Sequence, residues 1–365
     1  MAEHQLPKLV TGVRFPSPAL PATASLSIII VAFNSSSDLE RTLPAVVSEL
    51  RSGDELIVVD NASEDGTPQI VSEVAPDARL IALSQNVGFA AAVNAGAAGA
   101  TGNLLIVLNP DARPLPGFGE AIRRPLLANH GWSAWMSLVA CEHGRFVNTL
   151  GNAVHFTGIA WAGGHGQPLP VGLEPHEVTA ASGACLAVRA PAWREVGGFP
   201  EDFFLYHEDI DLSLRLRLFG MRVGLEPSAV VDHDYEFGAR PQKWRWLERN
   251  RWAVLIRVFP APLLALIAPA LVLTELALIP VAIAGGWGRQ KLAAAGDVIR
   301  WLPRLLAERR DIQSRRKIST VAFARWLTPD LDSPFIGNFA RSAPIRGGLR
   351  AYWKAVLFVL NRLDP

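Results

Sequence analysis

Three carboxylates, Glu208, Asp209 and Asp211, crowd the start of the segment Phe204-Leu-Tyr-His-Glu-Asp-Ile-Asp-Leu-Ser-Leu-Arg215. Ile210, Leu214 and Leu218 recur behind them at helical spacing. The acids therefore fall in a first helical turn, where unpaired N–H groups and the helix dipole favour negative charge. A carboxylate fixed there, at the rim of a cleft, could take a proton from a hydroxyl. A plain acidic helix start has the same local pattern, so the other polar clusters of the chain must decide.

Those clusters fall where strands should end. Asp60 and Asn61 close the run Glu55–Val59, and a carboxylate there can accept hydrogen bonds from a nucleobase or ribose; a simple turn carboxylate is the alternative. Asn34 follows Ser27–Ala32. Asn86 and Gly88 open an Ala-rich helix whose small residues permit close backbone approach and whose N–H groups suit phosphate. Asn94 lies two turns further on, reaching the pocket or simply buried as a polar group. Asn109-Pro-Asp111 closes the run Asn103–Leu108. One carboxylate plus substrate phosphates is a usual way to hold Mg²⁺ or Mn²⁺, which neutralises charge on a departing diphosphate. His233, in the distant run Val230–Tyr235, is a second ligand candidate, set against the commoner structural role of a lone histidine.

Holding these groups together requires repeated βαβ units. Ser27–Ala32 is a continuous β-branched run, as in a strand buried on both faces. A helix over 38–51, strands at 55–59, 79–83 and 103–108, and helices over 64–74 and about 87–100 complete the alternation, with a further strand at Ala184–Val188. This pattern predicts an α/β fold with a mostly parallel sheet, helices on both faces, and ligands bound beyond the carboxyl ends of the strands.

Length allows two domains, or one of about 250 residues with an appendage. A net charge of +1 excludes a global field for nucleic acid. Cys141 and Cys185 have no CxxC partner, which excludes a disulfide scaffold or structural zinc and fits a reducing cytosol. No basic segment followed by an apolar one marks the N-terminus, and Pro- and Ala-rich residues 1–24 read as an irregular lead-in.

From Arg240 to Arg257 six basic residues face one acid, and Val258 to Trp287 is almost wholly apolar. Seven of eleven tryptophans lie at or beyond Trp244, a residue type that favours the membrane boundary. Pro260, Pro262, Pro269 and Pro280 argue against one straight helix, and basic residues at both ends favour a re-entrant or interfacial hairpin. A buried helical subdomain is the alternative. Leu292–Arg310, kinked at Pro303, reads as a basic amphipathic helix on anionic lipid. The domain expectation is thus a lead-in to residue 24, an α/β domain over 25–240, and a helical membrane-associated region over 241–365.

The runs Ile30-Val-Ala-Phe-Asn34, Val59-Asp-Asn-Ala-Ser63, Asn86-Val-Gly-Phe89, Leu108-Asn-Pro-Asp111 and Tyr206-His-Glu-Asp-Ile-Asp211, in this order, resemble family 2 glycosyltransferases of the GT-A fold, in their rhamnosyltransferase-like branch. The resemblance covers roughly residues 25–240. It implies a Rossmann-like sheet and inverting, metal-dependent transfer from a nucleotide-diphosphate sugar. By resemblance, Asp209 is the general base, Glu208 the support of the acceptor or of the base, and Asp111 the Mg²⁺ or Mn²⁺ ligand, with His233 added. Ala32, Asn34, Asp60, Asn61, Asn86, Gly88, Asn94, Asn109, Gly183 and Ala184 are assigned to the donor. One departure is that the family's DxD motif begins here with Asn109.

The expected donor is dTDP-L-rhamnose, with UDP-galactofuranose, UDP-galactose or UDP-N-acetylglucosamine as alternatives. The expected acceptor is a lipid-linked or cell-envelope glycan on a polyprenyl carrier, at the cytoplasmic face of the membrane, with homo-oligomerisation open. A nucleotidyltransferase is the runner-up. It usually has a Gly-rich basic loop after the first strand, which Ala32-Phe-Asn-Ser-Ser-Ser37 lacks. A noncatalytic scaffold is disfavoured by the joint presence of Asp60, Asp111, Glu208 and Asp209.

Overall fold

A computed structural model describes residues 24–128, 130–234, 241–332 and 342–363. All but the last residue of the expected lead-in, and Tyr235 of the run ending in His233-Asp-Tyr, lie outside the described residues.

The first half alternates as the hydrophobic pattern requires: β1 (Leu26–Ala32), α1 (Ser36–Glu49), β2 (Glu55–Asp60), α2 (Thr67–Val74), β3 (Arg79–Ala82), α3 (Phe89–Ala98) and β4 (Leu104–Leu108). Every residue of β1 and β4 is buried, which explains their unbroken apolar character. Next come β5 (Arg113–Pro114), α4 (Phe118–Leu127), β6 (Trp132–Cys141), β7 (Phe146–Thr149), β8 (Asn152–Val154), β9 (Ala160–Ala162) and β10 (His176–Glu177). The second half of this unit holds β11 (Cys185–Arg189), α5 (Ala190–Val196), a 3-10 turn (Glu201–Phe203), α6 (Glu208–Leu218) and β12 (Arg222–Asp232).

The main sheet has the order β10-β12-β6-β11-β4-β1-β2-β3. Strands β1, β2, β3 and β4 pair in parallel, as do β6 and β12, while β11 runs antiparallel between β4 and β6. Two antiparallel steps restore direction, so β1, β2, β4, β6 and β12 end on the same edge.

Helices α7 (Pro241–Val258), α8 (Ala261–Ala284), α9 (Gly288–Ser314), α10 (Thr320–Ala324) and α11 (Ala343–Leu363) follow. One expectation for this region needs correction. The apolar block is one 24-residue helix that runs through Pro269 and Pro280, not a broken hairpin; it turns only at Gly285 and Gly286. Each proline removes one N–H, but Leu263, Ile267 and Leu271 anchor the helix on the core. The seven C-terminal tryptophans are buried or half-buried, and none is exposed. They pack inward, with Trp353 stacked on Phe156 and Trp301 beneath the Arg249 guanidinium.

Candidate active site

The β12 and β4 ends, the turn before β11 and the start of α6 enclose a cavity of about 350 Å³. Asn109, Gly183, Ala184, Glu208, Asp209 and His233 line it, so six of the sequence-assigned residues converge there.

The acid pair is positioned by an unusual backbone. Phe204, Tyr206 and His207 all take left-handed φ values, 63°, 73° and 67°. Non-glycine residues adopt this region at a cost, and they persist only where surroundings over-determine them. Here the surroundings come from α7. The Asn250 amide lies 3.0, 3.0 and 2.7 Å from the carbonyls of Phe203, Leu205 and Tyr206. Arg249 donates to the carbonyls of Asp202 and Phe203 at 3.0 and 2.7 Å. The turn delivers Glu208 and Asp209 to the cavity as the first residues of α6.

Asp209 Oδ2 accepts from the Gly183 N–H at 2.9 Å and the Asn152 amide at 3.1 Å, and Oδ1 from the Ile210 N–H at 2.8 Å. Burial pushes the Asp209 carboxyl above its usual range, and these hydrogen bonds partly oppose it. Burial and the neighbouring Asp209 charge push Glu208 to about 8. One Glu208 oxygen, Oε2, is buried without a hydrogen-bond partner. Burial thus raises both neighbouring carboxyls, and they differ in their partners: Asp209 accepts three hydrogen bonds, whereas Glu208 Oε2 accepts none. Asp211 is different. It is fully buried between Arg215, at 2.5 Å, and Arg257 of α7, at 2.9 Å, and so is structural.

His233 Nε2 lies 3.0 Å from Asp111 Oδ1. Burial raises the Asp111 carboxyl, but the hydrogen bond and charge of His233 outweigh it and leave the group below its ordinary value. A carboxylate beside an imidazole that lines the cavity offers the donor types a divalent ion takes when diphosphate oxygens complete its shell. The pair fits such an ion.

The other assigned residues have divided roles. Asp60 accepts from the Ser63 N–H at 3.1 Å at the end of β2. Asn61 donates to Asn86 at 3.0 Å and accepts from the Val87 N–H at 2.9 Å, and the Asn34 side chain accepts from the Glu64 N–H at 2.8 Å. These amides shape the loops beside Asp60. Three expectations fail. The phosphate site expected at the start of α3 is closed, because the Phe204 carbonyl takes the Phe89 N–H at 2.6 Å and the Asn86 side chain takes that of Gly88 at 2.9 Å. Gly88 is needed instead for close approach: at φ +86°, a Cβ there would fall 2.6 Å from the Phe204 carbonyl. Asn94 faces away, bonded to Phe199 and Glu201, and anchors their loop. Ala32 is fully enclosed, with its carbonyl taken by the Asn61 N–H.

Sequence reasoning missed Asn152, Asn250 and Lys243. Asn152 sits in a short strand outside any motif. Lys243 read as one charge of a basic run, yet it is buried on the cavity wall over the Tyr206 ring, its ammonium pushed down to about 7 by burial.

A parallel-edged sheet carrying an acid pair and an Asp–His pair at its carboxyl end is the arrangement of a GT-A transferase. Sequence comparison gives the particular family. The model for "Glycosyl transferase family 2" matches residues 27–197, and that for "Glycosyl transferase family group 2" matches residues 132–302. An N-acetylglucosaminyl-diphospho-decaprenol L-rhamnosyltransferase of Mycobacterium tuberculosis is 31% identical over 239 residues, covering 58% of this chain and 76% of the relative. The chain belongs to the family 2 glycosyltransferases.

A pre-mycofactocin glycosyltransferase of the same organism is 29% identical over 64% of this chain and 47% of its own. Among solved structures, S. aureus TarS superposes with a TM-score of 0.53 at 15% identity, over 93% of this chain and 55% of that one. GalNAc-T7, solved with UDP, GalNAc and Mn²⁺, gives 0.52 at 17% identity, over 64% and 48%. The chain thus spans about half the length of these last three proteins, and the two structural likenesses establish the fold.

Proposed function

We propose that this enzyme transfers L-rhamnose, with inversion, from dTDP-rhamnose to a glycan carried on a polyprenyl diphosphate, at the cytoplasmic face of the cell membrane. The observation that carries the mechanism is Asp209, held in the cavity by Gly183 and Asn152 with Glu208 beside it. Asp209 accepts the proton of an acceptor hydroxyl as that oxygen bonds to the anomeric carbon. The bond from that carbon to the nucleoside diphosphate breaks on the opposite face. Glu208, neutral below about 8, presents its unpartnered oxygen to a sugar hydroxyl. Asp60 is the acceptor for the nucleoside. Asp111 and His233 would hold Mg²⁺ or Mn²⁺, which when bound would neutralise charge on the leaving diphosphate. The choice of sugar and acceptor draws support from the mycobacterial relative, whose name specifies both.

Two measurements test this. Asp209→Asn should lower kcat by about 10²–10⁴ while donor binding persists; full activity in that variant would remove the base assignment. Thermal protection by dTDP-rhamnose and by UDP-sugars, with and without Mn²⁺, tests the donor. Protection by a UDP-sugar alone would replace rhamnose with that sugar.

A further inference from the structure

Helix α8 is divided lengthwise. Leu263, Ile267 and Leu271, one helical turn apart, are buried on the core, whereas Val272, Leu273, Leu276, Ile279, Val281 and Ile283 are exposed. Its most apolar stretch has a mean hydropathy of 2.3 and is only 17% buried. Leu292 and Ile299 of α9 extend the exposed aliphatic surface. Such a surface marks a contact face.

The length of α8 permits a membrane crossing, but its midpoint is tied down. Glu275 pairs with Arg251 of α7 and, at 2.8 Å, with Lys291 of α9; Glu248 pairs with the same two cations at 3.2 and 2.6 Å. Arg251 in turn donates to the Thr157 carbonyl at 3.1 Å, inside the catalytic unit. A crossing would carry this carboxylate towards the bilayer centre, where ionised groups are disfavoured, or tear it from its partners. Helix α8 is a flank of the catalytic unit with one uncovered face.

Charge identifies what covers that face. Residues 241–365 hold 20 Lys and Arg against 8 Asp and Glu, a net +12, whereas residues 1–240 carry −11. Arg289, Arg300 and Arg310 are exposed along α9 among the aliphatic residues. A second copy would set like charge against like, while an anionic lipid surface is complementary. The position also matters. Trp287, between α8 and α9, stacks on Trp244 with ring centroids 4.7 Å apart, and the adjacent Lys243 lines the catalytic cavity.

We infer that α8 lies in the plane of an anionic bilayer surface, its outer face in one leaflet and neither end across, with the α7 wall of the cavity beside the lipid interface. This deepens the reading of a lipid-linked acceptor and rests on it for its purpose, but not for its measurement. The full chain, without substrate, should sediment with phosphatidylglycerol-containing vesicles and not with phosphatidylcholine alone. Leu273→Ser with Leu276→Ser, both at exposed positions, should reduce that partition at least about tenfold, with thermal unfolding unchanged. In a Cys141→Ser background, Arg289→Cys on vesicles should react fully with an impermeant maleimide added from the side of the enzyme. Absence of vesicle binding, equal binding to neutral vesicles, or protection of that cysteine overturns the inference. So does a lipid-free dimer that the paired serine changes dissolve. Vesicle binding with no transfer of any sugar upholds the inference and counts against the assigned function.

Discussion

At the level of single residues, two neighbouring carboxyls share one buried site but not the same partners, since Asp209 accepts three hydrogen bonds and Glu208 Oε2 none. Glu208 titrates near 8 in the folded chain against an ordinary 4.5, because it is buried beside Asp209. The native state therefore binds the extra proton between those values. Stability from this group is fully present below about 4.5 and is lost as pH rises through about 8. Glu208→Gln should accordingly gain thermal stability relative to the parent at alkaline pH more than at pH 5, as differential scanning of both proteins would show. At the neighbouring Asp111–His233 pair, His233→Ala removes an expected ligand. It should raise the Mn²⁺ concentration needed for half-maximal activity by at least the roughly 10–100-fold that loss of even an outer partner causes. An unchanged metal requirement would assign His233 to structure alone. Asp211 shows why residue type misleads at this scale: its place in the acidic cluster matches Asp209, and only its two arginine partners reveal its structural role.

At the level of elements, α7 is the piece that makes the site possible. Its basic run read as a membrane-facing segment, yet Arg249 and Asn250 point inward and hold the left-handed turn ahead of the acid pair. Asn250 is fully buried. Asn250→Ala would remove a donor shared by the Phe203, Leu205 and Tyr206 carbonyls and should cost about 1–3 kcal/mol. It should also lower kcat with little change in donor KM, since the acids shift while the Asp60 region does not. A fall in stability without that kinetic split would leave Asn250 with no positioning role. The parallel strands were legible because full burial writes a continuous apolar run. The continuity of α8 was not, because proline content registers local cost and not the packing that offsets it.

For the whole molecule, the catalytic unit and the helical region share one core. Arg257 of α7 reaches Asp211 of α6 at 2.9 Å and Glu308 of α9 at 2.8 Å. Arg309 and Gln313 of α9 return to the last carbonyls of α7. Arg257→Met leaves a wholly buried carboxylate with one partner and should cost about 3–5 kcal/mol. Urea unfolding should show this as a shift of the main transition. A shift confined to a minor one would mean that the C-terminal helices fold separately.

Sequence alone determined the alternating strands, the family, and the acids that line the cavity, because buried strands and charged ligand groups impose residue types that survive without neighbours in view. Tertiary structure decided which acid is a base candidate and which a pillar, that the start of α3 is closed, and that Asn94 faces elsewhere. It also decided that Asn152 holds the Asp209 carboxylate and Asn250 the turn ahead of it, both from segments with no motif. The physical reason is that a hydrogen bond or an ion pair depends on what lies within about 3 Å, and those partners come from distant parts of the chain.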